Sequence, residues 1–229
     1  ECDWSSDVCS SDLLPHAMRE LSALGLEERL KEVAIENTYN AFFNRFGQLI
    51  YKEPRGKLAG YPYPELGIHR GNLHMVLLEA VNARYGAGFV HTNHFCTGVE
   101  QDDNGVTVHF KETSTGKPLE SVRGDIAIAC DGVNSVIRKQ FYPNDKLSFG
   151  GINMWRGVTI RKPILDGRTY MRVGALDTGK MVIYPIQNNV DGKGNQLINW
   201  VAELRRPNAG MNDWNQQGKL EDFFDVYKI

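Results

Sequence analysis

The chain has 229 residues, of which 26 are Lys or Arg and 28 are Asp or Glu, so its formal net charge is −2. This balance, with basic residues scattered along the chain, gives no support to a nucleic-acid partner or to binding at a membrane surface. The sequence has no run of about 18 apolar residues that would predict a membrane span, and its composition is typical of a globular protein. We expect one or two domains and a cytoplasmic location.

The first 13 residues (ECDWSSDVCSSDL) have no apolar periodicity and resemble no signal peptide. They resemble the translation of a sequencing adapter, whose codons spell residues 2–12 and open the codon of Leu13. We therefore interpret residues 1–13 as an artefact and expect the chain to be a fragment that lacks both native ends. The segment holds four acidic residues and no basic ones, so the rest of the chain has a formal charge of +2. It also holds two of the four cysteines, which leaves too few for a disulfide framework.

The next predicted elements are a helix, a hairpin and a loop. Pro15 suits the first turn of a helix that ends near Gly25. Two β-rich runs flank residues 44–47 (NRFG), which predicts a hairpin within residues 38–53. Residues 54–67 are rich in Gly and Pro and predict a connecting loop.

Residues 68–81 (IHRGNLHMVLLEAV) predict an amphipathic helix, because apolar residues recur on one stripe. The helix begins near Arg70, which places a guanidinium at the end where the helix dipole favours anions. A cation at this end is explained if it helps to hold an anionic or hydroxyl-rich ligand. The alternative is a solvated arginine on a surface helix.

An antiparallel meander is predicted over residues 96–122, and the run 125–138 (DIAIACDGVNSVIR) follows it. The alternating Ile and Ala residues predict a strand that is buried on both faces, as in a parallel sheet. The strand ends in an Asp-Gly turn that leads into a short basic helix, which Ser135 can cap. Ligands of open α/β sheets bind at the carboxyl ends of the strands, so a cofactor is expected beside Asp131. The candidate cofactor-binding residues of this turn are Asp131, Gly132, Ser135 and Arg138.

Long β-rich runs between residues 147 and 229, separated by loops rich in Asp, Gly and Asn, predict one mixed sheet. Met154 and Arg156 point to one side of their strand and Trp155 to the other. If the Met154 side lines a pocket, Arg156 could pair with an acidic group of the substrate, and Tyr184 could offer a hydroxyl from a neighbouring strand. The alternative is that Trp155 belongs to the core and Arg156 to the surface.

A metal site is not predicted. His91 and His94 lie close to Cys96, but on a strand the two histidines would face opposite sides. No second pair of ligands follows at the spacing of a zinc site.

Residues 125–138 resemble the Asp-Gly fingerprint of the class A flavoprotein monooxygenases, the FAD-dependent aromatic hydroxylases. Arg70 and Leu73 resemble the Arg-x-x-Leu helix start with which that family contributes an arginine to FAD binding. The resemblance extends from residue 14 to about residue 229. Weaker strings that are similar to the phenazine-type members lie at residues 53–56 (EPRG), 154–157 (MWRG) and 184–186 (YPI).

The resemblance implies an α/β fold with an incomplete three-layer FAD-binding domain and a mixed β-sheet substrate domain. The first would comprise residues 14–37 and 68–146, and the second residues 38–67 and 147–229. FAD would be the cofactor, NADH or NADPH the co-substrate, and O₂ would react to give a C4a-hydroperoxyflavin that hydroxylates a small aromatic, phenazine-like or aromatic-acid substrate. The scheme needs no catalytic acid or base from the protein and no metal, and it leaves the oligomeric state open.

The sequence departs from the family in two places: no Gly-x-Gly-x-x-Gly follows a strand, and no Gly-Asp-Ala-Ala-type segment occurs. In the family the first holds the FAD pyrophosphate and the second lies near the ribityl chain, so we expect the fragment alone to be inactive. Two other functions stay open. One is a different flavoenzyme on the same scaffold, such as a halogenase, although Trp-x-Trp-x-Ile is absent, or a flavin reductase acting on an isoprenoid. The other is an inactive truncated module that only binds a partner.

Overall fold

The computed structural model describes residues 10–206 and 218–228. The chain divides into two compact units, each of which is described by itself. Of the described residues, the large unit comprises residues 10–80, 149–206 and 218–228, and the small unit comprises residues 81–148. No helix in the described part of the chain is long and apolar enough to cross a membrane.

The described residues form twelve strands and five α-helices, together with two short 3₁₀ turns, at Gly56–Ala59 and Leu220–Asp222. In chain order they are β1 (Ser10–Leu13), α1 (Pro15–Ala23), α2 (Glu27–Val33), β2 (Ala34–Glu36), β3 (Tyr39–Phe43), β4 (Leu49–Pro54), β5 (Leu66–His69), α3 (Arg70–Tyr85), β6 (His94–Asp102), β7 (Gly105–Glu112), β8 (Val122–Gly124), α4 (Val136–Phe141), β9 (Ile152–Arg161), β10 (Thr169–Ala175), β11 (Gly179–Gln187), β12 (Gln196–Arg205) and α5 (Phe224–Tyr227). The predicted mixed α/β class is confirmed.

The first sheet of the large unit has three antiparallel strands in the order β1-β5-β2. Met18, Leu30 and Ile68 are completely buried in the core that this sheet forms with the helices. Each of these side chains contributes roughly 1.5–3 kcal/mol through its burial. The core therefore holds α1, α2 and the start of α3 against β5.

Strand β1 belongs to the adapter-like segment that we set aside from the sequence, yet the structure includes it in the fold. Its four residues pair with β5, and Leu13 is buried. Hydrogen bonds between strands join backbone groups, so an unpaired sheet edge accepts a strand of almost any sequence. Leaving residues 10–13 out of the fold was therefore wrong, whereas the origin of the segment stays a prediction.

The second sheet of the large unit has six strands in the order β4-β3-β10-β11-β12-β9, in which β3 and β10 are parallel and all other neighbours are antiparallel. The β3–β4 hairpin, which the sequence assigned to this sheet, lies in it. One side of the sheet packs on residues near the chain end, where Ala202, Leu204 and Phe223 are buried together. The compact units do not follow the predicted domain boundaries, and the division into FAD and substrate domains stays a prediction.

The small unit contains the predicted meander, β6-β7-β8, followed by α4. The predicted buried strand at residues 125–130 is wrong: the run forms no strand, and Ile126 and Ile128 are 82% and 83% exposed. A strand of a parallel sheet needs hydrogen-bonded neighbours and a covering layer on each face. No strand in the described residues pairs with this run, so it lacks the neighbours that a parallel sheet would provide.

Candidate functional site

The predicted Asp-Gly turn is a hydrogen-bonded loop at the start of α4. Gly132 has a φ of 74°, which glycine adopts without strain. The Asp131 carboxylate accepts hydrogen bonds from the backbone N–H groups of Val136 at 2.8 Å and Ile137 at 3.4 Å. A hydrogen bond with the Ser135 side chain is the main reason why the pKa of Asp131 lies below its usual range. The carboxylate is therefore ionised at neutral pH and satisfies the first N–H groups of the helix.

Ser135 and Arg138 complete this loop. Ser135 Oγ accepts a hydrogen bond of 2.9 Å from the backbone N–H of Arg138, so Ser135 is the N-cap of α4, as predicted. Arg138 donates through Nη2 to the carbonyl oxygen of Val133 at 2.5 Å, and its Nε lies 3.0 Å from the Asp145 carboxylate. The structure thus brings together the four residues predicted around the turn. Their part in cofactor binding stays a prediction.

Replacing Ser135 with Ala should raise the pKa of Asp131 towards its ordinary value, because Ser135 contributes most to lowering it. The pKa of Asp131 is lower in the folded protein than in the unfolded chain. Ionised Asp131 therefore stabilises the folded protein at a pH above the unfolded-state pKa. This stabilisation is lost as the pH falls through the folded-state pKa. Loss of the N-cap should also cost about 1 kcal/mol of stability. An NMR titration of the Asp131 carboxyl carbon measures the shift, with the exposed Ser148→Ala as the control. An unchanged titration would contradict the assigned hydrogen bond.

Arg70 is the first residue of α3 and directly follows β5, so the helix begins where the sequence predicted. The residue is exposed. Its guanidinium is a donor that suits an anion, whereas the backbone N–H of Gly71 in the first turn already donates to His69 Nδ1 at 3.2 Å. Arg70 belongs to the large unit and Asp131 to the small unit.

The donor chemistry of these residues fits FAD. The cofactor carries a pyrophosphate, which a guanidinium binds through charge-assisted hydrogen bonds. It also carries ribose and ribityl hydroxyl groups, which can donate to a carboxylate. Arg70 supplies the first kind of group and Asp131 the second, and both residues are exposed.

One face of the six-stranded sheet carries the three predicted substrate-pocket residues. Residues that pair directly across strands point to the same side of a sheet. The register places Arg156 opposite Val201 and Tyr184 opposite Asn199, so Met154, Arg156 and Tyr184 share this side. We call it the polar face and define it by Asn40, Phe42, Met154, Arg156, Tyr170, Arg172, Tyr184 and Asn199.

Burial differs strongly across the polar face. Tyr184 is 6% exposed and lies in the sheet centre, whereas Met154, on edge strand β9, is 52% exposed. Arg156 is exposed as well. Trp155 points to the opposite side and packs on Phe223, with 5.4 Å between ring centroids. This arrangement agrees with the alternative stated from the sequence, in which Trp155 belongs to the core and Arg156 to the surface. The role of Arg156 in substrate binding stays a prediction.

Sequence reasoning missed the centre of the polar face. Tyr170 stacks on Tyr184 with 4.5 Å between ring centroids, and Arg172 lies over the Tyr170 ring at 5.4 Å. The alternation of Tyr170 and Arg172 along one β-rich run was a usable signal, since it places both on one side of a strand. Nothing in the sequence indicates that β10 pairs with β3 and β11, and that pairing brings both residues beside Tyr184.

His91 and His94, near Cys96, contact a backbone carbonyl group and each other's rings. His94 Nδ1 lies 2.7 Å from the carbonyl oxygen of Thr92, and the rings of His91 and His94 are 5.6 Å apart. Within the described ranges, no group of three or more His, Cys, Asp or Glu side chains could hold a metal ion.

A protein-family model described as "FAD binding domain" matches residues 10–192, which is most of the chain. The chain belongs to this family. The chain is 33% identical over 219 residues to the phenazine 1,6-dicarboxylic acid hydroxylase of Lysobacter antibioticus, covering 93% of this chain and 53% of that protein. It is 30% identical over 152 residues to the 6-hydroxynicotinate 3-monooxygenase of Pseudomonas fluorescens, covering 63% of this chain and 36% of that protein. The chain thus spans between about a third and about half the length of these relatives.

Solved structures with the same fold include Klebsiella pneumoniae HpxO complexed with FAD and uric acid. The TM-score is 0.71 at 17% identity, over 95% of this chain and 52% of that chain. Another is P. aeruginosa PqsL in complex with 2-aminobenzoylacetate, with a TM-score of 0.66 at 16% identity, over 86% of this chain and 50% of that chain. The predicted membership of the FAD-dependent aromatic monooxygenases is confirmed, and FAD is the cofactor of the family.

Proposed function

We propose that the protein hydroxylates a small aromatic substrate, with FAD as the cofactor, NADH or NADPH as the reductant and O₂ as the oxidant. The polar face carries this proposal, because it combines stacked aromatic rings with buried polar groups in a chain of the FAD-binding family. Reduced FAD, when bound, would activate O₂, so that one oxygen atom enters the aromatic ring and the other leaves as water. The part left to the protein is to bind both molecules, orient the ring and exclude water.

In this proposal Arg70 and the Asp131 loop hold the cofactor. Asp131 and its hydrogen-bonded neighbours Gly132, Ser135 and Arg138 form a pre-shaped turn, so little of the loop has to become ordered on binding. Arg70 adds the positive charge that a pyrophosphate requires.

The polar face would receive the aromatic substrate. Met154 offers a polarisable side chain that packs against a ring, and Tyr184 offers a hydroxyl group. Arg156 would pair with an acidic group at the open edge. The names of both relatives contain an aromatic acid, phenazine 1,6-dicarboxylic acid in one and 6-hydroxynicotinate in the other. These names favour a phenazine-like or aromatic-acid substrate for this chain.

Replacing Arg156 with Ala should weaken the binding of an aromatic acid by about two- to fivefold, since an exposed ion pair contributes at most about 1 kcal/mol. The FAD content should stay unchanged. The matched control is Arg161→Ala, because Arg161 lies on the same strand and points to the opposite side of the sheet. Titration of the FAD-loaded protein with the acid gives both Kd values. Equal affinity in the two variants would remove Arg156 from the site.

The activity itself is tested on the full-length gene product. We expect a yellow protein that oxidises NADH or NADPH in the presence of its aromatic substrate and incorporates one ¹⁸O atom from ¹⁸O₂ into the product. A flavin that is reduced without incorporation of oxygen into an aromatic ring would favour another flavoenzyme on this scaffold. A colourless protein would favour a module that only binds a partner. The present chain, measured in parallel, is expected to be inactive alone.

A further inference from the structure

A glutamine of the small unit joins α4 to the meander. Its side-chain Oε1 accepts a hydrogen bond of 3.0 Å from the backbone N–H of Val99, and its Nε2 donates to the carbonyl oxygen of the same residue at 2.6 Å. The glutamine is Gln140, which lies 41 positions from Val99 in the sequence. One side chain thus binds both polar backbone groups of a distant residue.

The strand that receives this amide lies at the edge of its sheet. Among the described residues the meander has the order β6-β7-β8, so β6 forms one of its edges. An edge strand presents backbone N–H and C=O groups that need partners other than a strand. The Gln140 amide supplies one acceptor and one donor to Val99, as a residue of a neighbouring strand would. Val99 is therefore the point at which α4 is attached to the meander.

The backbone of β6 leaves room for this amide. The register of β6 with β7 shifts between Cys96 and Gly98, as at a β-bulge. A Cβ added at Gly98 would lie 3.2 Å from Oε1 of Gln140, which is closer than such contacts usually are. Glycine at this position therefore lets the amide approach the strand. Bulges redirect a strand locally and often occur next to functional sites.

The position of α4 determines where the Asp131 carboxylate lies. That carboxylate accepts hydrogen bonds from the backbone N–H groups of Val136 and Ile137, the first two residues of α4. Gln140 belongs to the same helix, about one turn further along. A movement of α4 away from β6 would carry the donors of Asp131 with it. The attachment at Val99 therefore also holds the carboxylate in place.

We propose that Gln140 is a positioning residue, which holds α4 on the edge of β6 and thereby fixes the Asp131 carboxylate for hydrogen bonds with hydroxyl groups of the cofactor. The inference deepens the proposed function and rests on it for the identity of the ligand. A carboxylate that is fixed before binding loses less conformational freedom when the ligand arrives, which increases affinity. Gln140 does not have to touch the cofactor, so its effect on FAD binding should pass through Asp131.

The first measurement is the Kd for FAD of the full-length protein, by flavin fluorescence titration. Gln140→Met keeps the length of the side chain but loses its donor and its acceptor, and it should raise the Kd about three- to tenfold. The effect is moderate because Gln140 is exposed. Gln140→Asn keeps both groups but is one methylene shorter, so it should also raise the Kd. The matched control is Gln101→Met, the same change at an exposed residue of β6, which should leave the Kd unchanged.

A double-mutant cycle with Asp131→Asn separates positioning from a general loss of stability. If Gln140 acts through Asp131, Gln140→Met should change the Kd little in a protein that already carries Asp131→Asn. A role in general stability would raise the Kd by the same factor in both backgrounds. Melting curves of the four proteins show whether each variant is folded at the temperature of the titration.

Hydrogen exchange of the Val136 and Ile137 amides in the flavin-free protein tests the attachment without the cofactor. Exchange should be faster in Gln140→Met than in the parent or in Gln101→Met, because α4 opens more often. The inference is overturned if exchange is the same in all three proteins, if Gln140→Met binds FAD as tightly as Gln101→Met does, or if the cycle with Asp131→Asn is additive. A parent protein that binds no FAD would instead refute the proposed function, and the exchange rates would still decide whether Gln140 holds the Asp131 loop.

Discussion

Replacing Gly67 with Ala should destabilise the large unit by roughly 3 kcal/mol, at the upper end of what one added methyl group does in a packed core. Gly67 is buried in the middle of β5. A Cβ at this position would lie 2.6 Å from the carbonyl oxygen of Pro185 and 3.2 Å from Nδ2 of Asn37. The nearer atom belongs to the backbone of β11, so one of the two strands has to move. Pro185 follows Tyr184, and a shift there would also disturb the polar face.

Urea denaturation followed by tryptophan fluorescence measures this loss. The control is Gly150→Ala in the same unit, where an added Cβ meets no atom within 4 Å and the backbone needs no left-handed conformation. That variant should be neutral or slightly more stable, since alanine restricts the unfolded chain. Equal denaturation midpoints for the two variants would mean that β5 is not packed tightly against β11.

The features predicted correctly depend on residues close together in the sequence. The start of α3 at Arg70 follows from apolar periodicity, and the turn at residues 44–47 follows from its place between two β-rich runs, where Gly47 adopts a positive φ. The Asp131 loop belongs to the same group, because its carboxylate, its cap and its helix lie within eight residues of one another. Contacts of this kind depend on the local sequence and not on the pairing of distant strands.

The errors concern strands, whose existence depends on partners far away in the sequence. Residues 66 and 67 were predicted to lie in a loop and residues 68 and 69 in a helix, yet the four form the central strand β5, with β1 and β2 paired to its two edges. Residues 125–130 have the composition of a buried strand, but no strand in the described residues pairs with them, and they form no strand and are exposed. Strand propensity describes how well a residue fits an existing sheet rather than whether the sheet is there.

Only part of the polar face could be predicted, because the rest of it depends on how distant strands pair. Alternation along β9 correctly placed Met154 and Arg156 on one side, because that depends on a single strand. Arg172 could not be placed on the polar face from the sequence, because its position beside Phe42 depends on the parallel pairing of β10 with β3. The exposed Arg156 could therefore be placed from the sequence, whereas the more buried Arg172 could be placed only from the order of the strands in the sheet.

Replacing Arg70 with Ala should weaken FAD binding by the full-length protein by about tenfold or more, since a charge-assisted hydrogen bond contributes roughly 1.5–3 kcal/mol. Stability should stay the same or rise slightly, because a positive charge at a helix start opposes the helix dipole by about 0.3–1 kcal/mol. These opposite effects separate a ligand-binding arginine from one that supports the fold. Flavin fluorescence titration gives the Kd, and thermal melting without FAD gives the stability.

Two further variants define the role of Arg70. Arg70→Lys keeps the charge but replaces the planar fork with a single ammonium group, so its affinity for FAD should lie between those of the parent and Arg70→Ala. Arg19→Ala removes another exposed arginine of the large unit, one that pairs with its neighbour Glu20, and should leave the Kd unchanged. If Arg70→Ala binds FAD as tightly as Arg19→Ala does, Arg70 is a surface arginine, and the charge that holds the pyrophosphate has to come from another part of the protein.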